Sequence, residues 1–228
     1  MINRSTCGAL LASTVLLASC GHLFHANFEG DLPGKAPSPR PEGFPDGDLI
    51  TIGPEESFFV TSDMGIVGEK SFAFVEPKVS GKLPPRTVMR SALIEDMQKP
   101  VHMSWRGIFG TSGSIKMKLG FAGQTYADLH FDHGTIFVDG KRSGVYKPGD
   151  IHSVVVSLYP ASQSYEVTIQ GDAHTNAKSF SGNAISKDEP TRPEAFAEFN
   201  VTSSNAETLV YIIDDVIMSH RAPRLISG

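Results

Sequence analysis

The chain has 228 residues, of which 40% are hydrophobic and 9% aromatic. This length suits one undivided domain, because all-β sandwiches commonly reach this size. The formal net charge of −5 argues against nucleic acid as a partner, since proteins that bind it carry a basic surface.

The first twenty residues have the pattern of a secretory signal. One basic residue, Arg4, precedes an apolar stretch over residues 9–18. That stretch is too short to span a bilayer, and small residues follow it, as they do at signal cleavage sites. The pattern predicts export from the cytoplasm.

The sequence LASC at residues 17–20 resembles the lipobox of bacterial lipoproteins, in which the cysteine is lipidated and becomes the first mature residue. The resemblance implies a signal peptide over 1–19 and lipidation of Cys20, with Cys7, the only other cysteine, removed. Gly21 stands where an Asp would resemble an inner-membrane retention signal. The implied location is therefore the cell envelope, at the outer membrane of a diderm bacterium, with membrane contact through the lipid alone.

The rest of the chain is predicted to be a short lipidated tether over 20–26 and one folded domain over 27–228. The first structured stretch is expected within LFHANFEGD, residues 23–31. A proline-rich loop (32–48) and a second break (186–194) interrupt the domain, because proline can neither continue a helix nor donate to a sheet ladder.

Between these breaks, alternation of apolar and polar residues predicts antiparallel β-structure. The Asp-Gly pair in VDGK, residues 138–141, predicts a tight hairpin. The six clearest predicted strands are VHMSWRGIF (101–109), SIKMKLGF (114–121), QTYADLHF (124–131), GTIFVDG (134–140), IHSVVVSLY (151–159) and SYEVTIQG (164–171).

If GTSG (110–113) and AGQ (122–124) are hairpin turns, strand alternation gathers one polar face. The opposite face, which includes the single tryptophan Trp105, is predicted to be core. Lys118 is expected opposite Asp128 as a cross-strand ion pair. The predicted polar face consists of His102, Ser104, Arg106, Lys116, Lys118, Tyr126, Asp128 and His130.

This polar face allows two interpretations. It is either the solvated outer surface that every sandwich requires, or a groove that binds a polysaccharide through Arg106, Lys116, Tyr126, Asp128 and His130. In the second interpretation Tyr126 stacks on a sugar ring, and the basic residues suit an anionic glycan. Asp128 and His130 could also pair as acid and base, but this spacing is common by chance.

The segment VYIIDDVIM, residues 210–218, has two adjacent acids within an apolar run. Successive side chains of a strand point to opposite faces, so at least one acid is expected inside the protein or at a seam. A carboxylate there needs a cation, a cage of hydrogen bonds or protonation, because burying it unpaired costs several kcal/mol.

Three segments resemble the concanavalin A-like lectin/glucanase superfamily: FEGD (28–31), YKPGDIHSVVVSLYPASQSYEVTIQGD (146–172) and YIIDDVIMS (211–219). The resemblance implies an all-β, two-sheet antiparallel jelly-roll sandwich. The Glu-x-Asp-x-Glu triplet of its family 16 glycoside hydrolases is absent. The motifs of its alginate-lyase-like members are only poorly matched, by RTVMRSALIED at 86–96, so no known catalytic residues transfer.

In the fold that the chain resembles, the first and last strands lie side by side. Glu29 would then approach Asp214 and Asp215, and such a cluster of acids suits a structural calcium ion. Asp215 is the favoured ligand of the pair, because it shares its strand face with the larger apolar set. The alternative is that one Asp pairs with a basic side chain while the other reaches solvent.

The sequence therefore predicts an envelope domain that binds glycan without catalysis. A polysaccharide hydrolase or lyase that uses the polar face is one alternative. A structural lipoprotein that binds another protein is the other.

Overall fold

The computed structural model describes residues 22–40, 47–75, 84–109, 114–171, 178–185, 191–202 and 209–223. Over these ranges the chain forms fifteen β-strands and two short 3₁₀ turns. No helix in the described ranges combines the length and the apolar character needed to cross a membrane.

The strands form two antiparallel sheets. Their bounds are β1 His22–Ala26, β2 Asp48–Ile52, β3 Phe58–Thr61, β4 Ser71–Val75, β5 Arg86–Arg90, β6 Val101–Phe109, β7 Ser114–Phe121, β8 Gln124–Asp132, β9 Thr135–Val138, β10 Lys141–Val145, β11 Ile151–Tyr159, β12 Ser164–Gly171, β13 Ser179–Asn183, β14 Ala195–Thr202 and β15 Leu209–Ser219. The eight-stranded sheet has the order β13-β12-β11-β6-β15-β4-β3, with β1 also paired to β15. The seven-stranded sheet has the order β10-β9-β8-β7-β14-β5-β2.

The core lies between the two sheets, where their alternating apolar side chains meet. Trp105 is 2% exposed, and its ring meets Phe199 of the other sheet edge-on, with centroids 5.7 Å apart. Its Nε1 donates a hydrogen bond to the hydroxyl of Tyr211 at 3.0 Å. The predicted all-β sandwich is confirmed, as is the prediction that Trp105 packs in the core.

The tether predicted over residues 20–26 is wrong from His22 onward. Residues 22–26 form β1, which pairs with the end of β15. Phe24 is fully buried and Ala26 is 4% exposed, so this segment contributes to the core. Cys20 lies outside the described residues, and its lipidation stays a prediction.

The last strand, β15, changes its neighbour halfway along. On one side it pairs with β6, and on the other it pairs first with β4, through residues 209–213, and then with β1, through residues 216–219. Asp214 and Asp215 occupy the gap between these two partners. The register against β6 shifts here, and Asp215 has a φ of 51°. These features mark a β-bulge, which locally disrupts the ladder.

Candidate functional site

The predicted polar face is divided between the two sheets. Arg106 lies on β6 of the eight-stranded sheet, whereas Lys116 lies on β7 of the seven-stranded sheet. β6 and β7 belong to different sheets and do not pair with each other, whereas the turn predicted at 110–113 lies outside the described residues. Placing Arg106 on the same face as Lys116 was therefore wrong, because alternation along a strand does not reveal which sheet the strand joins.

Tyr126 lies in the core instead of on the polar face. The ladder between β7 and β8 shifts after Leu119 and leaves Tyr126 as an extra residue on β8. Such a bulge interrupts strict alternation. Tyr126 is fully buried, and its hydroxyl accepts a hydrogen bond from Gln163 Nε2 at 3.2 Å. The prediction that Tyr126 stacks on a sugar ring was wrong, because it extended the alternation unbroken through this bulge.

Four of the other predicted residues, Lys116, Lys118, Asp128 and His130, share one surface, which we call the seven-stranded face. It consists of the side chains that β2, β5, β14, β7, β8 and β9 direct away from the core. His102 and Ser104 lie on β6 with Arg106, so placing them on this surface was wrong. Lys118 lies opposite Asp128 in the ladder as predicted, although no ion pair within 4 Å joins them. Two rows cross this face, one of Asn200, Lys116 and His130 and the other of Glu198, Lys118 and Asp128.

A groove of about 370 Å³ lies on the seven-stranded face, over β2, β5 and β14. Apolar and basic side chains form the floor of the groove, and the segment 191–194 closes one end. Ile50, which is 37% exposed, is one of the largest apolar side chains open to solvent there. The groove is lined by Ile50, Ile52, Arg86, Val88, Arg90, Phe196 and Glu198, and at its end by Gly123, Thr191, Arg192 and Glu194.

Charges in the groove are only partly paired. Arg86 lies 3.7 Å from Glu198, whose Oε1 also accepts a hydrogen bond from Asn200 at 2.9 Å. Arg192 pairs with Glu194 at 2.9 Å. Arg90 has no carboxylate within 4 Å in the part of the chain that the structure describes. It is therefore the groove's guanidinium that remains open to an anionic ligand.

The ring of Phe196 reaches over β7 because residue 120 is a glycine. A Cβ on Gly120 would collide with this ring. Gly120 and Phe196 are also direct partners in the ladder between β7 and β14. The glycine thus allows an aromatic side chain to lie close to the backbone beside the groove.

Asp128 and His130 share the seven-stranded face but do not form the predicted acid–base pair. His130 Nε2 is hydrogen-bonded to the hydroxyl of Ser114 at 2.6 Å. Burial lowers the pKa of His130 and raises the pKa of Asp128, although nearby lysines oppose the rise at Asp128. A neutral histidine and a carboxyl group with a raised pKa can both serve in proton transfer, but in the described residues His130 is hydrogen-bonded to Ser114 and not to Asp128.

Asp214 is the buried member of the acidic pair. It is 0% exposed and lies under the segment 66–71. Its Oδ2 accepts hydrogen bonds from the Val67 amide at 2.8 Å and the Ser71 hydroxyl at 3.1 Å, and its Oδ1 accepts one from the Asp215 amide at 2.7 Å. The prediction that at least one acid of the pair lies inside the protein is confirmed, and of the three environments left open the structure provides a cage of hydrogen bonds. The preference for Asp215 was wrong, since Asp215 is partly exposed and pairs with His25 at 2.7 Å.

Glu29 is held by the segment 66–71, which also covers Asp214. Its Oε1 accepts hydrogen bonds from the amides of Glu69 and Lys70 at 2.9 and 3.0 Å. Gly68 has a φ of 117°, and a Cβ there would collide with the Glu29 carboxylate. Lys70 Nζ also donates to the Glu29 carbonyl at 2.7 Å. Glu29 therefore fastens the residues after β1 to the segment that covers Asp214.

The structure does not group these three acids as the ligands of one ion, and a structural calcium ion stays a prediction. The carboxylates of Glu29 and Asp214 are engaged by protein donors, and Asp215 is paired with His25. Within the described ranges no group of three or more His, Cys, Asp or Glu residues is arranged to hold a metal. The predicted adjacency of the first and last strands is confirmed.

Sequence reasoning missed the groove itself. Arg86, Arg90, Phe196 and Glu198 were not predicted as site residues. The signal was present in RTVMR, residues 86–90, where the two arginines lie on the same side of a strand. What the sequence did not show is that β14, far along the chain, inserts between β5 and β7.

Comparison with known proteins identifies the fold. No protein-family model matches the chain, and the search of curated proteins gives no match. Among solved structures, the CBM2 module of Lactobacillus casei BL23 phage J-1 evolved Dit is 10% identical, with a TM-score of 0.54 over 90% of this chain and 97% of that chain. The binding domain of botulinum neurotoxin serotype D is 8% identical, with a TM-score of 0.50 over 89% of this chain and 49% of that chain.

A seed lectin of Lotus tetragonolobus is also similar, at 10% identity, with a TM-score of 0.49 over 75% of this chain and 92% of that chain. Identities this low establish the fold alone. The two antiparallel sheets, together with the likeness to the first two structures, show that the fold is an all-β, two-sheet jelly-roll sandwich.

Proposed function

We propose that this domain binds a glycan in the groove of the seven-stranded face. The observation that carries the proposal is that one groove of about 370 Å³ contains Arg86 and Arg90 as well as solvent-facing apolar side chains. Ligand sites commonly combine an apolar lining with a few placed polar groups. Sugars present apolar ring faces and polar edges, so Ile50 and Phe196 would pack against the rings while Arg86 and Arg90 bind the edges.

The preferred ligand is an anionic glycan, such as a polyuronate. The planar guanidinium of Arg90 can donate two parallel hydrogen bonds to a carboxylate. Lys116 and Lys118 are exposed on the neighbouring strand and extend the positive charge beyond the groove. Asp128 and His130 lie next to them and would contact the same ligand.

Binding without catalysis is the preferred form of this function. One observation favours a hydrolase as the second candidate, because Glu198 and Asp128 lie in one row with Lys118 between them. Two strand spacings put their Cα atoms about 10 Å apart, and inverting glycosidases use carboxyl groups roughly 6.5–9.5 Å apart. Lys118 stands between the two acids, however, and Glu198 is engaged by Asn200 and Arg86.

A glycan array with the full-length protein, followed by calorimetry on the best ligand, tests the proposal. Arg90→Ala should weaken binding roughly 10- to 100-fold, since a hydrogen bond to a charged group contributes about 1.5–3 kcal/mol. Arg106→Ala is the matched control, because it removes an arginine from the opposite sheet and should leave the affinity unchanged. Both variants should melt like the wild type.

Two outcomes would overturn the proposal. Equal affinity losses in Arg90→Ala and Arg106→Ala would exclude the groove as the binding site. No binding to any glycan would favour the third candidate, a structural protein-binding domain. Analysis of the bound glycan for new reducing or unsaturated ends separates binding from hydrolysis or lyase activity.

The proposal includes attachment to the outer membrane through a lipid on Cys20. It is supported by LASC at the end of an apolar segment. The variant Cys20→Ser should accumulate as unprocessed precursor and incorporate no labelled fatty acid. Unchanged acylation and membrane fractionation of this variant would refute the anchor.

A further inference from the structure

The structure leaves almost no slack between Cys20 and the folded domain. β1 begins at His22, only two residues after Cys20, and it is fixed to β15 along its length. Phe24, in the middle of β1, is fully buried. Two residues extend at most about 7 Å. A lipid on Cys20 would therefore hold the domain directly against a bilayer, without a flexible spacer.

The start of β1 identifies which end of the sandwich the anchor would hold. We call this the β1 end and define it as the segments 91–100, 184–185, 191–194 and 220–221. Three hydrogen bonds join most of these segments to one another and to β1: Ala92 N to Leu23 O at 3.1 Å, Ile94 N to Pro193 O at 2.8 Å, and His220 Nδ1 to Pro100 O at 2.8 Å. Residues 184–185 join the same end, because the Ile185 amide donates to the carbonyl of Thr125 beside the turn between β7 and β8.

The surface of the β1 end suits the interface of a bilayer. Leu93 and Ile185 are large apolar residues that remain 55% and 52% exposed. Lys99, Arg192 and Arg221 are exposed at the same end, and such side chains can keep their charge among headgroups while their apolar stems lie deeper. Exposed acids also occur there, so net charge does not provide the attraction. The anchor and the two apolar side chains provide it.

We propose that the β1 end lies against the membrane surface, so that Leu93 and Ile185 contact the headgroup region. This inference rests on the proposed acylation of Cys20. Thr191 and Arg192 belong to both the β1 end and the closed end of the groove. The closed end of the groove therefore lies nearest the membrane surface, and the groove opens away from the bilayer.

Site-directed labelling of the membrane-bound, full-length protein tests this orientation. Cys7 and Cys20 are the only cysteines; one leaves with the signal and the other carries lipid, so an introduced cysteine is unique. Leu93→Cys marks the β1 end. Ile151→Cys marks the other end, since Ile151 is 40% exposed and pairs with Ile108, seven residues along β6 from Val101. Seven strand residues span about 23 Å.

A fluorophore on each cysteine is quenched by lipids that carry a nitroxide on the headgroup. Quenching at position 93 should exceed quenching at position 151 several-fold, and both variants should melt like the wild type. A long Gly/Ser linker inserted between Gly21 and His22 should remove the difference. Equal quenching at the two positions without the linker would overturn the orientation.

The two possible failures are distinguishable. If the protein does not fractionate with membranes, the proposed anchor is wrong and the orientation falls with it. If the protein is membrane-bound but both labels are quenched equally, the anchor stands and only the orientation is wrong. Glycan binding in the groove is measured separately and does not depend on either result.

Discussion

Replacing Asp214 by Asn tests the explanation of the acidic pair. The wild-type carboxylate accepts three hydrogen bonds, from the Val67 amide, the Ser71 hydroxyl and the Asp215 amide. An amide group keeps one oxygen and replaces the other with a donor. In one orientation the new NH₂ faces the Asp215 amide, and in the other it faces the Val67 amide. Ser71 can adapt, because a hydroxyl both donates and accepts.

Either orientation leaves one part-buried backbone N–H, that of Val67 or of Asp215, without its acceptor. Such a group costs about 1–3 kcal/mol, and the bonds that remain lose their assistance from charge. We therefore expect the free energy of unfolding to fall by about 2 kcal/mol. In a domain of this size 1 kcal/mol corresponds to roughly 2–4 °C, which gives a fall of about 4–8 °C in the melting temperature. Asp214→Ala removes both acceptors and should destabilise the protein further.

The effect of pH on this variant has a definite sign. Burial raises the pKa of Asp214, although its hydrogen bonds oppose the rise. A carboxyl group with a raised pKa in the folded state contributes stability below its unfolded pKa, near 3.9, and loses that contribution as the pH rises through the folded pKa. The stability difference between wild type and Asp214→Asn should therefore widen as the pH falls from neutral toward 4.

Urea denaturation at several pH values measures both the loss of unfolding free energy in Asp214→Asn and its dependence on pH. Asp96→Asn is the matched control, because Asp96 is exposed and its carboxylate meets Lys99 and the Gln98 amide at the surface; it should change stability by less than about 1 kcal/mol. If Asp214→Asn were as stable as Asp96→Asn, the hydrogen-bond cage would not stabilise the fold. If the gap narrowed at low pH, the hydrogen bonds would outweigh burial in setting the pKa.

Three further predictions follow from the core and from the acidic cluster. Tyr126→Phe removes the hydrogen bond from Gln163 and should lower the free energy of unfolding by about 0.5–1.5 kcal/mol in thermal melts; a change in glycan affinity at unchanged stability would contradict its position in the core. Gly107→Ala puts a Cβ against the Tyr211 hydroxyl and 2.9 Å from His152 Nε2, so it should destabilise by roughly 1–3 kcal/mol, and wild-type melting would disprove the close approach. Excess chelator should leave the melting curve unchanged, whereas a fall that added calcium reverses would support the calcium hypothesis.

Much of the fold could be predicted from the sequence, because strand alternation is a local property. The predicted segments 101–109, 114–121, 151–159 and 164–171 match the bounds of β6, β7, β11 and β12. The Asp-Gly turn also forms as predicted, with Asp139 and Gly140 both at positive φ. In these segments neighbouring residues alone determine which side chains face the core.

The candidate site was predicted less well, because it depends on which strands become neighbours. The grouping of Arg106 with Lys116 assumed that consecutive strands pair, but β6 and β7 join different sheets. The grouping of Tyr126 with Asp128 assumed unbroken alternation, but a single extra residue on β8 put Tyr126 in the core. Neither the crossing between sheets nor the bulge has a distinct signature in the local pattern.

The two bulges have opposite consequences for polar side chains. On β8 the extra residue brings a tyrosine into the core, where Gln163 satisfies its hydroxyl. On β15 the bulge at Asp214 and Asp215 lies where the strand exchanges β4 for β1. There Asp214 meets the segment 66–71 and Asp215 meets His25. The bulge on β8 thus removes Tyr126, a candidate glycan-binding residue, from the surface. The bulge on β15 explains why two adjacent acids occur in an apolar strand.

The acidic pair also supports the attachment of β1. This strand meets β15 through only four residue pairs, fewer than most ladders in the sandwich. The segment 66–71 binds Asp214 on β15 and Glu29 just after β1, and His25 on β1 pairs with Asp215. Asp215 therefore ties β1 directly to the last strand, whereas Glu29 and Asp214 together tie the chain after β1 to that strand through the segment 66–71. If Cys20 carries the anchor, any load from the membrane enters through β1, and these contacts resist the peeling of that strand from the sheet.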